Sequence, residues 1–300
     1  MELKTKDEYV LISVIITCYN HAHYLKQAIE SVLNQDYPNI EILVIDDGSS
    51  DETKNVALEF RKVRYVYQEN QGLSAARNTG IDKSTGSYLI FLDADDWFIN
   101  NKAFSIQLRY LEKNEKAAFV SGDFLNVNEY KEFYKEVQKA AVTESHYGQL
   151  LYQNYIGMHA TVMYCKWIFD EFRFDTSLRA CEDYDIYLKI AGKYPVIDHT
   201  EMIAAYRKHT QNMSGNIPVM IEAALKVLNR QRPYLETSTE RSFFSKGIEK
   251  WKDHYCNTLF RLLRKTPFLP VNRKKLTDLN VLFKYRKRLL ARYFLLKIIK

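Results

Sequence analysis

Asp93, Asp95 and Asp96 follow the apolar run YLIFL directly, so three carboxylates occupy four positions at the end of what reads as a buried strand. Carboxylates packed this closely repel one another unless a cation or a proton relieves them. A hard divalent cation, Mg2+ or Mn2+, suits such a site, because it takes one or two carboxylates and fills its other positions with water and substrate phosphate. Further acids recur in similar settings. Asp46 and Asp47 end the run EILVIDD, while Glu182 and Asp183 open the helical pattern EDYDIYLKIAGK, where acids complement the positive end of a helix dipole. A calcium loop starting at Asp93 would need Gly at its sixth position and Glu at its twelfth, which are Phe98 and Phe104. Zinc and a disulfide framework are also disfavoured, since Cys18, Cys165, Cys181 and Cys256 are scattered without a C-x-x-C pair and read as buried thiols.

The elements that must position these acids alternate. LISVIITC is a β-branched run suited to a strand buried on both faces. Residues 24–34 then place Leu25, Ile29, Val32 and Leu33 on one helical face, and Pro38 and Asn39 turn the chain into EILVID. Ser49 and Glu52 have the spacing of a capping box opening the next helix. RYVYQ, GLSAARNTGI and SYLIFLD read as strand, short helix and strand, giving a doubly wound α/β sheet. Such sheets bind ligands at the carboxyl ends of their strands, where the acids stand. A dinucleotide fold would need G-x-G-x-x-G after the first strand, but TCYNHAHYL contains no glycine. Later segments give a helix at 103–114, strands at AAFVSGD, HATVMYC and EMIAAYRKH, a helix at EDYDIYLKIAGK, and helices only from about 217.

The succession SVIITCYN, EILVIDDGSSDET, NQGLSAARNTGI and GSYLIFLDADD resembles the family 2 glycosyltransferases, inverting enzymes with the GT-A fold. The resemblance is dense over residues 11–100, thinner to about 215, and absent beyond. It implies a mixed, doubly wound GT-A sheet over residues 1–215, and the helical, basic pattern of the remaining residues reads as an extension over 216–300. It implies that Thr17 and Tyr19 contact the nucleotide base, that Asp47 binds uracil, and that Asn70 and Arg77 line the diphosphate pocket. Asp93 should face the ribose or the metal, and Asp95 should bind the metal. RACEDYDIYLKI resembles the family's E-D motif, which makes Asp183 the expected general base and Glu182 an orienting neighbour. YRKHTQNMS resembles a later element in which His209 completes the metal shell or touches the diphosphate, with Arg207 as a nearby charge. The Q-x-x-R-W signature of processive relatives is absent, so one sugar per encounter is expected. The implied donor is a nucleotide-diphospho-sugar, UDP-linked by preference, and the implied acceptor a hydroxyl of a surface glycan, lipid-linked in one version. Loops between about 120 and 180 are expected to set sugar specificity. A sugar-1-phosphate nucleotidyltransferase would show a Gly-rich loop where Tyr19, Asn20 and His21 stand, and a non-catalytic scaffold would have little use for both acid motifs.

Charge divides the chain unevenly. The formal total is +6, yet residues 241–300 hold 17 Lys+Arg against 3 Asp+Glu, and the remainder is net acidic. The C-terminal residues, ending LFKYRKRLLARYFLLKIIK, place Leu279, Leu282, Phe283, Leu289, Leu290 and Tyr293 on one helical face interrupted by Arg286 and Lys297. That face suits an anionic membrane surface first, packing on the acidic body or another copy second, and nucleic acid least, since no recognised nucleic-acid module is present. No run of about eighteen apolar residues occurs, and MELKTKDEYV lacks a signal-peptide core. The expected location is the cytoplasm, peripheral to the inner face of the plasma membrane.

Overall fold

A computed structural model describes residues 9–128, 133–137, 142, 145–210, 212–270 and 272–298. Strands β1 (Ile12–Cys18), β2 (Ile40–Asp47), β3 (Val63–Gln68) and β4 (Tyr88–Asp93) pair in parallel in the order β3-β2-β1-β4. Parallel neighbours need crossovers, supplied by helices α1 (Ala22–Leu33), α2 (Thr53–Leu58) and α3 (Leu73–Lys83). Every residue of β1 is buried, as its unbroken apolar run requires. On α1, Leu25, Ile29 and Val32 are buried and Leu33 is half-buried at the edge of that face. Gly80 lets α3 lie close on β1: a Cβ there would fall 2.3 Å from Ile15 Cγ2. That approach brings Arg77, about one turn earlier, to the end of β4.

The expected capping box does not form. Asp51 accepts from Thr53 N at 3.1 Å and so holds the start of α2, while Ser49 accepts from Asn20 N at 2.9 Å and joins the loops after β1 and β2. A short carboxylate two residues before Thr53 serves the helix start and frees Ser49 for the loop contact.

The sheet continues through β5 (Trp97–Phe98), β6 (Phe119–Asn128), β7 (Phe133–Val137), β8 (Val162–Cys165) and β9 (Ile197–Lys208), with α4 (Ala103–Glu112), α5 (His146–Tyr152) and α6 (Glu182–Ala191) around it. The order runs on as β4-β8-β6-β9-β5 with β7 beside β6. The β4–β8, β6–β8 and β5–β9 pairs are antiparallel and β6–β9 is parallel, so the sheet is mixed. HATVMYC is a strand only in its second half, because His159–Thr161 form a 3-10 turn. Much of the span expected to set specificity is described, but residues 129–132, 138–141 and 143–144 lie outside the described residues.

Helices α7 (Ile217–Gln231), α8 (Ser238–Lys265), α9 (Arg273–Tyr285) and α10 (Lys287–Ile298) complete the chain. A capping box starts α8: Thr237 Oγ1 accepts from Glu240 N at 3.1 Å, and Glu240 Oε2 accepts from Thr237 N at 3.0 Å. One hydrophobic cluster runs from Ile15 in β1 through Tyr184 in α6 to Leu263, Leu282 and Tyr293. The face expected of the basic tail is divided: the helix breaks at Arg286, Leu282 and Tyr293 are buried, and Phe283 is 54% exposed. Among the described residues no helix is long and apolar enough to cross a membrane.

Candidate active site

Strand register sets the site. Thr17 lies opposite Asp93, Cys18 opposite Asp46, and Asp47 opposite Gln68, so the acids share the carboxyl edge of the parallel strands. Arg77 reaches this edge from α3 and is buried. Its Nη1 donates to Glu182 Oε1 at 2.6 Å, its Nη2 donates to Asp93 Oδ1 at 3.0 Å, and Thr17 Oγ1 donates to the same Asp93 oxygen at 2.9 Å. Burial alone would lower the Arg77 pKa, but Asp93, Glu182 and Asp183 outweigh it and raise it, so the guanidinium stays charged. A residue from α3 thus ties the end of β4 to the start of α6.

Cys181, the residue before α6, has φ 60° and ψ 25°, a left-handed conformation uncommon for a side chain with a Cβ. The turn delivers Glu182 and Asp183 to the cleft. Burial first, and Glu182 second, push the Asp183 pKa up to about 7, with Arg77 opposing. Two residues on, buried Asp185 receives Lys189 at 2.6 Å and Arg230 at 3.1 Å, and Arg230 also reaches Asp175 at 2.7 Å. These pairs fasten α6 to α7 below the acids.

A second group forms around Asp95 and Asp96. Arg207 donates from its backbone N to Asp96 Oδ1 at 2.9 Å, from Nε to the Asp95 carbonyl at 2.8 Å, and from Nη2 to Gln27 Oε1 at 2.8 Å. Its guanidinium lies 4.5 Å from the rings of both Tyr24 and Trp97. Arg207 is therefore a strut holding the acidic turn on α1 rather than a free charge. Burial, then Asp95 and Asp93, raise the Asp96 pKa well above the usual carboxylate range. His209 Nε2 stands 2.9 Å from Asp95 Oδ2, and Asn212 Nδ2 is 3.4 Å from the same oxygen.

This donor set fits a hard divalent cation in part. Among the described residues no three His, Cys, Asp or Glu side chains gather closely enough to hold an ion unaided. Asp95 and His209 supply two donors side by side, as suits a cation that takes its remaining ligands from phosphate and water. Asp93 instead turns to Arg77 and Thr17.

Asp47 is buried and its oxygens accept from Gln68 Nε2 at 2.7 Å, Gln71 N at 2.9 Å and Gly72 N at 2.8 Å. It thereby organises the loop between β3 and α3. Asn70 donates to the Asp47 carbonyl at 2.9 Å over Gly48, whose φ of 81° and close approach to Asn70 leave no room for a side chain. Asn70 and Tyr19 are exposed at the rim.

Arg77, Asp93, Glu182 and Asp183 line one cleft of about 500 Å³; Thr17, Tyr19, Asp47, Asn70, Asp95 and His209 stand outside its lining. The far wall belongs to Lys250, Trp251, His254 and Tyr255 of α8, which sequence reasoning did not assign to the site. The available signal was the aromatic spacing in WKDHY, with Trp251, His254 and Tyr255 on one helical face.

Residues 13–171 match the sequence pattern of Glycosyl transferase family 2. An uncharacterized glycosyltransferase of Rickettsia felis is 36% identical over 185 residues, 61% of this chain and 30% of its own length. Glycosyltransferase GlyA of Streptococcus pneumoniae is 38% identical over 122 residues, 39% of this chain and 17% of that protein. The chain spans 30%, 26% and 36% of the length of three Rickettsia relatives. Among solved structures, S. aureus TarS 1-349 in complex with UDP-GlcNAc superposes with a TM-score of 0.70 at 17% identity, over 94% of this chain and 82% of that one. Mannosyltransferase PcManGT from Pyrobaculum calidifontis, in complex with GDP-Man and Mn2+, has a TM-score of 0.61 at 14% identity, over 96% and 86% of the two chains. The fold is the GT-A fold expected from the motifs, and the chain belongs to glycosyl transferase family 2.

Proposed function

We propose that the protein is a metal-dependent inverting glycosyltransferase that moves one sugar from a nucleotide-diphospho-sugar to a hydroxyl of a saccharide acceptor. The observation that carries this reading is Asp183: a carboxylate with its pKa pushed up to about 7, at the edge of a cleft beside the paired Asp93, Arg77 and Glu182. A general base works best when its pKa lies near the working pH. Asp183 takes the proton of the acceptor hydroxyl, whose oxygen attacks the anomeric carbon as the bond from that carbon to the diphosphate oxygen breaks on the opposite face. Glu182, held by Arg77, orients α6 so that Asp183 faces the cleft. Thr17, Tyr19, Asp47 and Asn70 are assigned to the nucleotide, and Asp93 to the ribose side. Asp95 and His209 would hold Mn2+ or Mg2+, which supplies positive charge for the departing diphosphate.

UDP is the preferred nucleotide because TarS, which shares the fold, is solved with UDP-GlcNAc. The catalytic unit is assigned to residues 1–215 and the helical extension to 216–300. The extension carries exposed Phe283 and Leu295 beside its lysines and arginines. These features suit attachment to an anionic inner-leaflet surface, near a growing, lipid-linked surface glycan. The test is thermal stability against UDP, GDP, CDP and dTDP sugars with and without Mn2+. One donor should raise the midpoint only when the metal is present; no shift from any donor would reject the reading.

A further inference from the structure

The cleft has two unlike walls. One carries Asp93, Arg77, Glu182 and Asp183, and the other is α8, which presents half-buried Lys250 and Trp251 and exposed His254. Of the residues assigned to the donor, Arg77 and Asp93 line this cleft at its acidic end, whereas Thr17, Tyr19, Asp47 and Asn70 stand outside it. Space beyond Asp183 is where an attacking hydroxyl must lie, because a base receives its proton directly from the group it activates.

The aromatic wall is built into the fold. Trp251 stacks on buried Tyr255 with ring centroids 5.5 Å apart and planes 14° apart, and it lies against Tyr184 at 5.7 Å. Its Nε1 is 3.5 Å from the Tyr184 hydroxyl, and Tyr184 directly follows Asp183. The position of the indole is thus coupled to the helix that carries the base. Helix α8 reaches this place because Gly247 meets α5 without a side chain: a Cβ there would fall 1.9 Å from the Leu151 carbonyl oxygen. Lys250 Nζ bonds Gln153 Oε1 and sits 3.8 Å from the centroid of the Tyr152 ring. Partial desolvation lowers the His254 pKa, with Arg261 and Lys250 acting in the same direction, although the ring remains open to solvent on one side. An aromatic surface with amide, imidazole and ammonium groups at its edge matches a sugar ring, which has apolar C–H faces and a girdle of hydroxyls.

We infer that Trp251 and His254 form the acceptor subsite and that its ligand is a saccharide ring, seated so that one hydroxyl reaches Asp183. The inference rests on the glycosyltransferase reading and deepens it by naming the residues that seat and select the saccharide acceptor. Lys250 and Gln153 contact hydroxyls at the rim.

The test uses the full chain with UDP and Mn2+ present and titrates octyl glycosides of glucose, galactose, N-acetylglucosamine and maltose, below their micelle concentrations, by calorimetry. At least one should bind saturably. Trp251→Ala should weaken it tenfold or more and Trp251→Phe less, while UDP affinity in the same samples changes less than twofold. Circular dichroism of both variants establishes that they fold, and Trp251→Phe keeps the test valid if the alanine variant does not. Absence of saturable binding by every glycoside, or equal affinity in parent and Trp251 variants, would overturn the subsite. Failure of every nucleotide sugar to bind would instead overturn the glycosyltransferase reading, so the two failures are separable.

Discussion

At the carboxyl edge of the parallel strands, Arg77 lies in a volume nearly closed to water and is shared by Asp93 and Glu182. On the helical side, Arg286 likewise bridges two acids, Glu249 at 2.9 Å and Asp253 at 2.7 Å, but those acids are 58% and 59% exposed. Geometry is similar in the two places, and the surrounding dielectric is not. Buried charges lose hydration and must keep their partners, whereas exposed pairs trade protein contacts for water at little difference in free energy. Charge in the first region therefore fixes positions for chemistry. In the second it decorates helices already held by Leu263, Leu282 and Tyr293.

The largest expected effect lies on the buried side. Asp183→Asn should lower kcat by about a thousandfold with donor KM nearly unchanged, measured by nucleotide release, because it removes a base and leaves the shape. In the parent, kcat/KM should fall as pH drops below about 7, where Asp183 takes up its proton. Stability carries the opposite sign. A carboxyl raised from 3.8 to about 7 binds more protons folded than unfolded between those values, so it erodes stability as pH climbs through that window. Thermal melts should find Asp183→Asn at least as stable as the parent at pH 8 and without advantage at pH 4. An Asn variant with parental turnover would remove Asp183 from the mechanism.

Arg77→Met comes next. It leaves Asp93 and Glu182 without their cation; breaking a fully buried pair costs about 3–5 kcal/mol, and because the Asp93 side chain is 34% exposed the loss here should fall toward the lower end, about 2–3 kcal/mol. Urea unfolding should show a lower midpoint with an unchanged slope. A loss below 1 kcal/mol would mean that water or protons already relieve these acids, and the contrast with Arg286 would collapse.

How much of this was legible in the sequence follows the same division. Strand ends and acids were readable because period, register and carboxyl edge are local properties: YLIFLD could only be a buried strand with its acids at the mouth. The links from Arg77 to Glu182 and from Arg207 to Asp96 span 105 and 111 residues, and no local pattern announces them. Thus Arg207 read as an available charge although it is a strut. The capping box at Ser49 failed for a related reason, since the serine was claimed by Asn20, outside any local window. The α8 wall was hidden further still. Trp251 and His254 enter the cleft through packing at Gly247, and a glycine within a helix looks locally like a weakness.

That packing supplies the next test. Gly247→Ala sets a methyl against the Leu151 carbonyl, and overpacking of this kind costs about 1–3 kcal/mol. The wall should move while the acids stay. Acceptor KM should therefore rise more than donor KM, measured with the glycoside that binds best. Equal changes in both would show that α8 supports the whole site rather than one side of it.

The smallest stability effects belong to the exposed helices, where they sharpen the comparison most. Arg286→Ala should shift stability by less than about 1 kcal/mol, as expected for pairs whose acids face water. Arg288, exposed on α10, should be quieter still: Arg288→Ser is expected within about 0.5 kcal/mol of the parent. The same substitution has a second readout. If the basic helices meet an anionic bilayer, each exposed arginine near the surface contributes about 1 kcal/mol, roughly a fivefold change in partitioning. Co-sedimentation with phosphatidylserine vesicles at low salt should therefore fall about fivefold for Arg288→Ser and converge with the parent at 0.5 M salt, where screening removes the attraction. Equal sedimentation of parent and variant at low salt would assign the positive charge of α9 and α10 to something other than a membrane. The buried arginine would then still organise the site, and the exposed ones would need a different partner.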